Sequence, residues 1–247
     1  MDEMIYVAMN GAKQLERAQA MASHNLANAN TVGFRAQMHM FEGVDVEGPG
    51  YETRVNTLVT PGGWKSAEGA LMTTGNELDV AINGNGWLAV QAPDGSEAYT
   101  RAGDLRVTAL GVLTTGAGHP VLGGNGGPVA IPPHSKLSVG GDGTVSVISK
   151  GQGAETMASV DRLKLVNPPA DELFRGQDGL MHTRDGVKAD PDAGVRLTTG
   201  VLETSNVNVV DTMVDMIGIS RRYEMQVQMM KMASDNASAS ASVMRMS

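Results

Sequence analysis

From Asn208 to the C-terminus the chain repeats every seven residues, and that repeat limits what this end of the molecule can be. One seam holds Met213, Ser220, Val227, Ser234 and Ala241; the other holds Met216, Tyr223, Met230, Ala237 and Met244. The second seam is apolar or amphipathic throughout, which describes a helix with a narrow packing stripe. Asn208 suits the N-cap, with Asp211 three residues on. Such a helix either docks on its own domain or packs against others. Small seam residues allow close helix–helix approach, and a narrow stripe buries little area within one chain, so a stable helix needs partners.

The N-terminus carries a second helical pattern. Ile5, Ala8, Ala12, Leu15, Gln19, Ala22 and Leu26 recur at alternating spacings of three and four, with only Gln19 interrupting the stripe. Asp2 and Glu3 fall in the first turn, where negative charge favours the helix dipole. Asn28, Asn30 and Gly33 supply a stop, because Asn and Gly tolerate the left-handed conformation. These signals predict helices over residues 1–33 and 206–247.

Between them the period changes to two. Leu78 to Ile82, then Asn83-Gly84, then Trp87 to Val90 reads as strand, turn, strand. Turns are expected at Pro93-Asp94-Gly95, Gly140 to Gly143 and Arg184-Asp185-Gly186. Further strands are expected around Val107, Val112, Val121, Val129, Val145 and Leu163. The class is therefore α+β, with a central antiparallel domain over 76–205, a barrel or sandwich. Residues 34–75 read as an extended connector, because 42–56 hold Gly, Pro and charges without period.

Composition excludes several classes. A net charge of −8 argues against nucleic acid as a partner, since phosphate contacts need clustered Lys and Arg. With no cysteine, neither a disulfide frame nor a thiolate metal site forms. The acidic start lacks the apolar run of a secretory signal, and no segment approaches the roughly 18 apolar residues of a membrane span. Membrane insertion is not expected. Gly123 to Gly127 lacks a following helix that would make it a phosphate loop. Gly140-Gly141-Asp142-Gly143 does not recur as a calcium β-roll would. His24, His39, His119, His134 and His182 are scattered without metal-ligand spacing, and His182 with Asp185 reads as a hairpin end. No catalytic residue, cofactor or metal site is expected.

Three blocks resemble the signatures of the flagellar rod and hook axial protein family. They are Asn25-Leu26-Ala27-Asn28-Ala29-Asn30-Thr31-Val32-Gly33-Phe34; Leu78 to Gly84 with Tyr99-Thr100-Arg101-Ala102-Gly103; and Leu202 to Val207 followed by Met213-Val214 and Arg221 to Glu224. Together they span nearly the whole chain in the family's order. Trp87-Leu88, Leu105 and Gln228 depart from the family pattern without disturbing it. The resemblance implies a structural subunit of the proximal rod, with a distal-rod subunit as the alternative. A secreted adhesin or calcium-binding β-roll protein is the competing class. The family resemblance further implies that the terminal helices pair as a coiled-coil-like domain and that subunits stack helically into a hollow shaft transmitting torque across the periplasm. Export by the flagellar type III apparatus without a cleaved signal is implied too. Partners would be copies of the chain and other rod proteins. The assembly surface implied comprises Ile5, Ala8, Ala12, Leu15, Ala22, Asn25, Leu26 and Asn28, then Asn206, Met213, Met216, Ile217, Ser220, Tyr223, Val227, Met230, Ala237 and Met244.

Overall fold

The computed structural model describes residues 3–45, 55–150 and 157–245. Asp2, expected in the first turn of the N-terminal helix, and residues 46–54 of the expected connector lie outside the described residues. In chain order the elements are α1 (Glu3–Ala27), β1 (Gln37–Asp45), β2 (Val55–Trp64), β3 (Leu71–Thr73), β4 (Val80–Asn83), β5 (Trp87–Gln91) and β6 (Glu97–Thr100). Then come β7 (Leu105–Val107), β8 (Leu113–Thr115), β9 (His134–Val139), β10 (Thr144–Ser149), β11 (Met157–Arg162) and β12 (Leu165–Val166). A short 3-10 turn precedes β13 (Leu173–Arg175), β14 (Met181–Thr183), β15 (Arg196–Thr199), β16 (Val201–Glu203) and α2 (Val209–Arg245). The chain divides into two compact units. A helical unit takes Met1–Ala29, Arg35–Ser66 and Val207–Ser247, and a β unit takes Asn30–Phe34 and Ala67–Asn206.

In the helical unit α1 and α2 run antiparallel. Leu15, Ala18 and Ala22 of α1 close on Ile219, with Met216 packed beside them. Farther along, Gly11 approaches Gln226 so closely that a Cβ would lie 3.2 Å from its Cδ. Asn208 caps α2 as expected, its Oδ1 accepting from the Val210 N–H at 3.0 Å. At 37 residues against 25, the last turns of α2 continue past the start of α1. The other end of α1 stops at Asn28, whose Nδ2 donates to the His24 carbonyl at 2.9 Å. Of the expected stop residues only Gly33 is left-handed, at φ +67°.

The expected connector over 34–75 holds β1, β2 and β3. β1 and β2 form an antiparallel ladder with Phe41 opposite Val59. Two polar side chains of α1 hold its edge. Asn10 Nδ2 donates to the Thr57 carbonyl at 2.8 Å, and Gln14 Oε1 accepts from the Val59 N–H at 3.1 Å. Gln14 is consequently buried at 4% exposure. The helix thus satisfies backbone groups that an open strand edge would leave free.

The β unit buries a core from Val80, Ile82, Leu88, Val90, Leu105, Leu113, Val121, Val129, Val145, Leu163 and Leu197, among others. Its sheets are small and antiparallel: β12-β5-β6-β14-β13, β11-β10-β9, β15-β4, β16-β3 and β7-β8. Among the described residues no sheet closes into a barrel. The turns at Asp94-Gly95 and Gly140 to Gly143 join β5 to β6 and β9 to β10, as expected. The Asn83-Gly84 hairpin does not form. β4 pairs instead with β15, Val80 opposite Thr199, while β5 pairs with β6 and β12. Gly84 and Gly86 both have positive φ and carry the chain out of one sheet and into another.

Inside this unit Lys164 Nζ lies 2.7 Å from Glu97 Oε1, with exposures of 8% and 3%. The Tyr99 hydroxyl donates to the same Glu97 oxygen at 3.1 Å and accepts from the Ala189 N–H at 2.8 Å. Burial, reinforced by the Glu97 carboxylate against the opposing Ala189 N–H, pushes the Tyr99 phenol up to about 12. A raised phenol favours the folded state while protonated. That contribution is complete below pH 10 and is lost as pH rises toward 12. Ultraviolet titration is expected to show a late-ionising tyrosine that is missing from the titration of Tyr99→Phe; an identical late phase in that variant would contradict the assignment.

Candidate assembly interface

A buried polar junction lies where the three signature blocks meet. Arg101 and Glu203 are buried at 5% and 2% exposure, and Arg101 Nη1 lies 3.0 Å from Glu203 Oε2. Arg101 Nε donates to the Gly86 carbonyl at 3.0 Å and Nη2 to the Gly84 carbonyl. Its Cζ sits 5.6 Å from the centroid of the Trp87 ring. Glu203 Oε1 accepts from the Gly69 N–H at 2.9 Å, and its carbonyl accepts from the Gly33 N–H at 2.8 Å. The guanidinium fork is thus filled by one carboxylate and two carbonyls, the arrangement that makes a buried ion pair tolerable.

The same place gathers every passage of the chain between its two units. Residues 30–34, 67–70 and 203–206 all lie in the β unit. Asn206 N–H donates to the Phe34 carbonyl at 3.2 Å, and its Nδ2 donates to the Ala67 carbonyl at 2.7 Å. The Thr204 N–H reaches the Ala70 carbonyl at 2.8 Å. The Phe34 ring lies 4.4 Å from the Arg175 guanidinium, whose burial lowers its affinity for the proton. Gly33 is required here twice over. Its φ is positive, and a Cβ would stand 2.3 Å from the Arg101 carbonyl carbon. Gly33→Ala is expected to destabilise the β unit by at least about 1–3 kcal/mol, read as a lower thermal midpoint by near-ultraviolet circular dichroism. An unchanged midpoint would contradict the close approach.

The residues expected at an assembly surface separate into three groups. Ala8, Ala12, Leu15 and Ala22 are buried at 2–7% exposure within their own unit, so the α1 stripe is covered by this chain itself. Ile5 and Leu26 are half-buried. Met216, Met230 and Ala237 are half-buried on the seam of α2 that carries Ile219 and Ala233, both buried. The companion of that seam is Ile219, Gln226 and Ala233, three residues after each Met216-type position, not Met213, Ser220 and Val227, three residues before. Both choices alternate by three and four. Ile219 is taken inward because its side chain meets Leu15, Ala18 and Ala22.

Met213, Ile217, Ser220, Tyr223, Val227 and Met244 are exposed. Around them Val210, Val214 and Met232 stand out at 57–67% exposure, so apolar side chains also occupy sides of α2 that α1 leaves uncovered. The asparagines act locally. Asn25 exchanges two hydrogen bonds with the Gln37 backbone at 2.8 and 2.9 Å, fixing the start of β1 to the end of α1. Asn28 and Asn206 make the bonds already described.

The β1–β2 ladder, in the segment expected to be an extended connector, adds to the exposed apolar surface. Met38, Met40, Phe41, Val44, Val55 and Leu58 are all exposed on it. Its signal was present in the apolar residues on either side of the aperiodic stretch. A groove of about 420 Å³ between these elements is lined by Gly11, Leu15, Phe41, Met225 and Met229, with Arg222 at its side. His182 pairs with Asp178 at 3.0 Å rather than with Asp185, at the end of the β13–β14 hairpin. Among the described residues no cluster of three His, Asp or Glu could hold a metal ion, and no helix is long and apolar enough to cross a membrane.

Comparison with known proteins agrees with this geometry. Residues 5–35 match the family described as flagella basal body rod protein, 81–147 the flagellar hook protein FlgE/F/G D1 domain, and 198–243 the flagellar basal body rod FlgEFG protein C-terminal region. The flagellar basal-body rod protein FlgF of Escherichia coli is 43% identical over 255 residues, covering all of both chains. FlgF of Salmonella typhimurium is 40% identical over 253 residues, again covering both in full. The rod protein FlgG of Buchnera aphidicola is 31% identical over 242 residues, covering 89% of this chain and 91% of that protein. With three matched regions in order and identity sustained from end to end, the chain belongs to the flagellar basal-body rod protein family.

Proposed function

We propose that the chain is a structural subunit of the proximal part of the flagellar rod, packing helically with copies of itself and with other rod proteins. One observation carries this reading. α2 exposes large apolar side chains on sides that α1 leaves uncovered, and a helix apolar on several sides is stable only when those sides are buried. The exposed β1–β2 ladder adds to it, because a two-stranded ladder is marginal in water. A head-to-tail interface repeated with a constant rotation builds an open filament, the form a drive shaft across the periplasm needs. The role is one of packing and torque transfer rather than catalysis, and the subunit reaches its place through the flagellar export apparatus.

The lack of any cysteine makes the test clean. Ile217→Cys in an otherwise thiol-free chain, expressed in cells lacking the protein, should restore motility. Purified basal bodies in which the new thiol has been labelled with a maleimide carrying a photoreactive group are expected, on illumination, to yield cross-links between this chain and rod subunits at that position. Only monomer, in basal bodies that contain the chain, would overturn the reading.

A further inference from the structure

The two edges of the β1–β2 ladder are treated unequally. On β2 the Thr57 carbonyl accepts from Asn10 and the Val59 N–H donates to Gln14, so these residues turn their backbone groups to α1. In a strand the N–H and C=O of one residue point to the same edge, and successive residues alternate. The bonds to β1 thus come from Asn56, Leu58 and Thr60, which stand opposite Val44, Glu42 and Met40. On β1, His39, Phe41 and Gly43 consequently direct their N–H and C=O away from β2, along the outer edge. Among the described residues no strand lies beyond β1. Asn25 bonds both backbone groups of Gln37, so the open stretch begins after it. Natural sheets guard such edges with Pro, Lys or a bulge. From His39 to Asp45, β1 holds neither residue and keeps regular register.

We propose that this edge takes the same edge of a second copy, antiparallel and centred on Phe41, joining two ladders into one sheet. Phe41 and the partner's Phe41 then exchange N–H···O=C bonds, and His39 exchanges them with the partner's Gly43. Centring on Phe41 engages all three open residues. It also sets one aromatic ring beside the other, a favourable cross-strand pair. The charges of β1 are Glu42 and Asp45; they fall opposite the partner's Met40 and the partner's Gln37, so like charges never face each other. A ladder repeating β1 on β2 is closed off, because Asn10 and Gln14 already hold the outer edge of β2. The pairing is therefore two-fold and self-limiting, unlike a head-to-tail contact. It belongs to the free subunit, where it hides an edge open to indiscriminate strand addition, and it goes beyond the rod reading above.

Sedimentation velocity of the full chain over a range of concentrations tests the pairing. The unaltered chain is expected to pass from monomer to dimer. His39→Pro removes an outward N–H and no bond to β2, a position where a sheet edge tolerates proline. It should weaken the dimer by about tenfold or more. Phe41→Lys sets two ammonium groups near the two-fold axis, and Phe41→Glu sets two carboxylates there. Each variant alone should stay monomeric, and their equimolar mixture should recover dimer. A chain monomeric at every concentration, a dimer untouched by His39→Pro, or a mixture no more associated than its components overturns the pairing. Cross-linking from Ile217→Cys in basal bodies reports the rod reading separately, so failure of one is distinguishable from failure of the other.

Discussion

Glu203→Ala will lower the melting temperature of the β unit by roughly 10 °C. The substitution leaves the Arg101 guanidinium buried without its anion and the Gly69 N–H without an acceptor. Breaking a buried pair in this way costs about 3–5 kcal/mol. The comparison is the Lys136–Glu77 pair, just as short at 2.9 Å but about half exposed on both sides. Glu77→Ala should change stability by less than about 1 kcal/mol, because water and salt already screen that pair. Differential scanning calorimetry separates the two. Equal shifts would mean that the Arg101–Glu203 junction is not a support of the fold.

Ile217→Asp should abolish rod assembly while leaving the subunit's own thermal transition unchanged. The side chain is 56% exposed in the subunit, so a carboxylate there is solvated and harmless until a neighbour covers it. Burial against that neighbour then costs several kcal/mol per subunit, repeated along the assembly. Ile219→Asp, two residues away, is expected to behave in the opposite way. It is buried at 6% exposure against Leu15 and Ala22, so its cost falls on the α1–α2 pairing of the lone subunit. Gln228→Asp, exposed and polar already, is the neutral control. Motility and electron microscopy of basal bodies report assembly, and circular dichroism of purified protein reports the helices. Normal rods with Ile217→Asp would show that the outward side of α2 stays in solvent.

What could be read in advance was what short stretches of chain decide by themselves. The Asn208 cap, the turn at Asp94-Gly95 and the turn at Asp142-Gly143 each depend on side chains bonding backbone within a few residues. Asp94 and Asp142 accept from the backbone N–H and hydroxyl of Ser96 and Thr144, which holds both carboxyls below their ordinary range. The side of α2 that meets α1 was only half legible. Met216, Met230 and Ala237 satisfy both heptad registers, and the choice between Met213 and Ile219 as companion is made by α1, some two hundred residues away in the chain. The β1–β2 ladder has little local signal, because its edge is held by Asn10 and Gln14, polar residues on a distant helix. Asn83-Gly84 carried a hairpin signal that a distant strand overrode when β15 paired with β4. Arg101 and Glu203 stood in the signature blocks without any hint that they touch. A charged residue within an otherwise apolar or small-residue run, as in Leu202-Glu203, was the available clue.

The gathering of residues 30–34, 67–70 and 203–206 has a mechanical meaning. Tension that enters the β unit at Asn30 and leaves at Asn206 meets the Gly33–Glu203 and Phe34–Asn206 hydrogen bonds within a few residues of both exits. The load path is short-circuited there. Pulling the two ends of the β unit apart would therefore load these two backbone bonds before it loads the strands that lie between them in the chain.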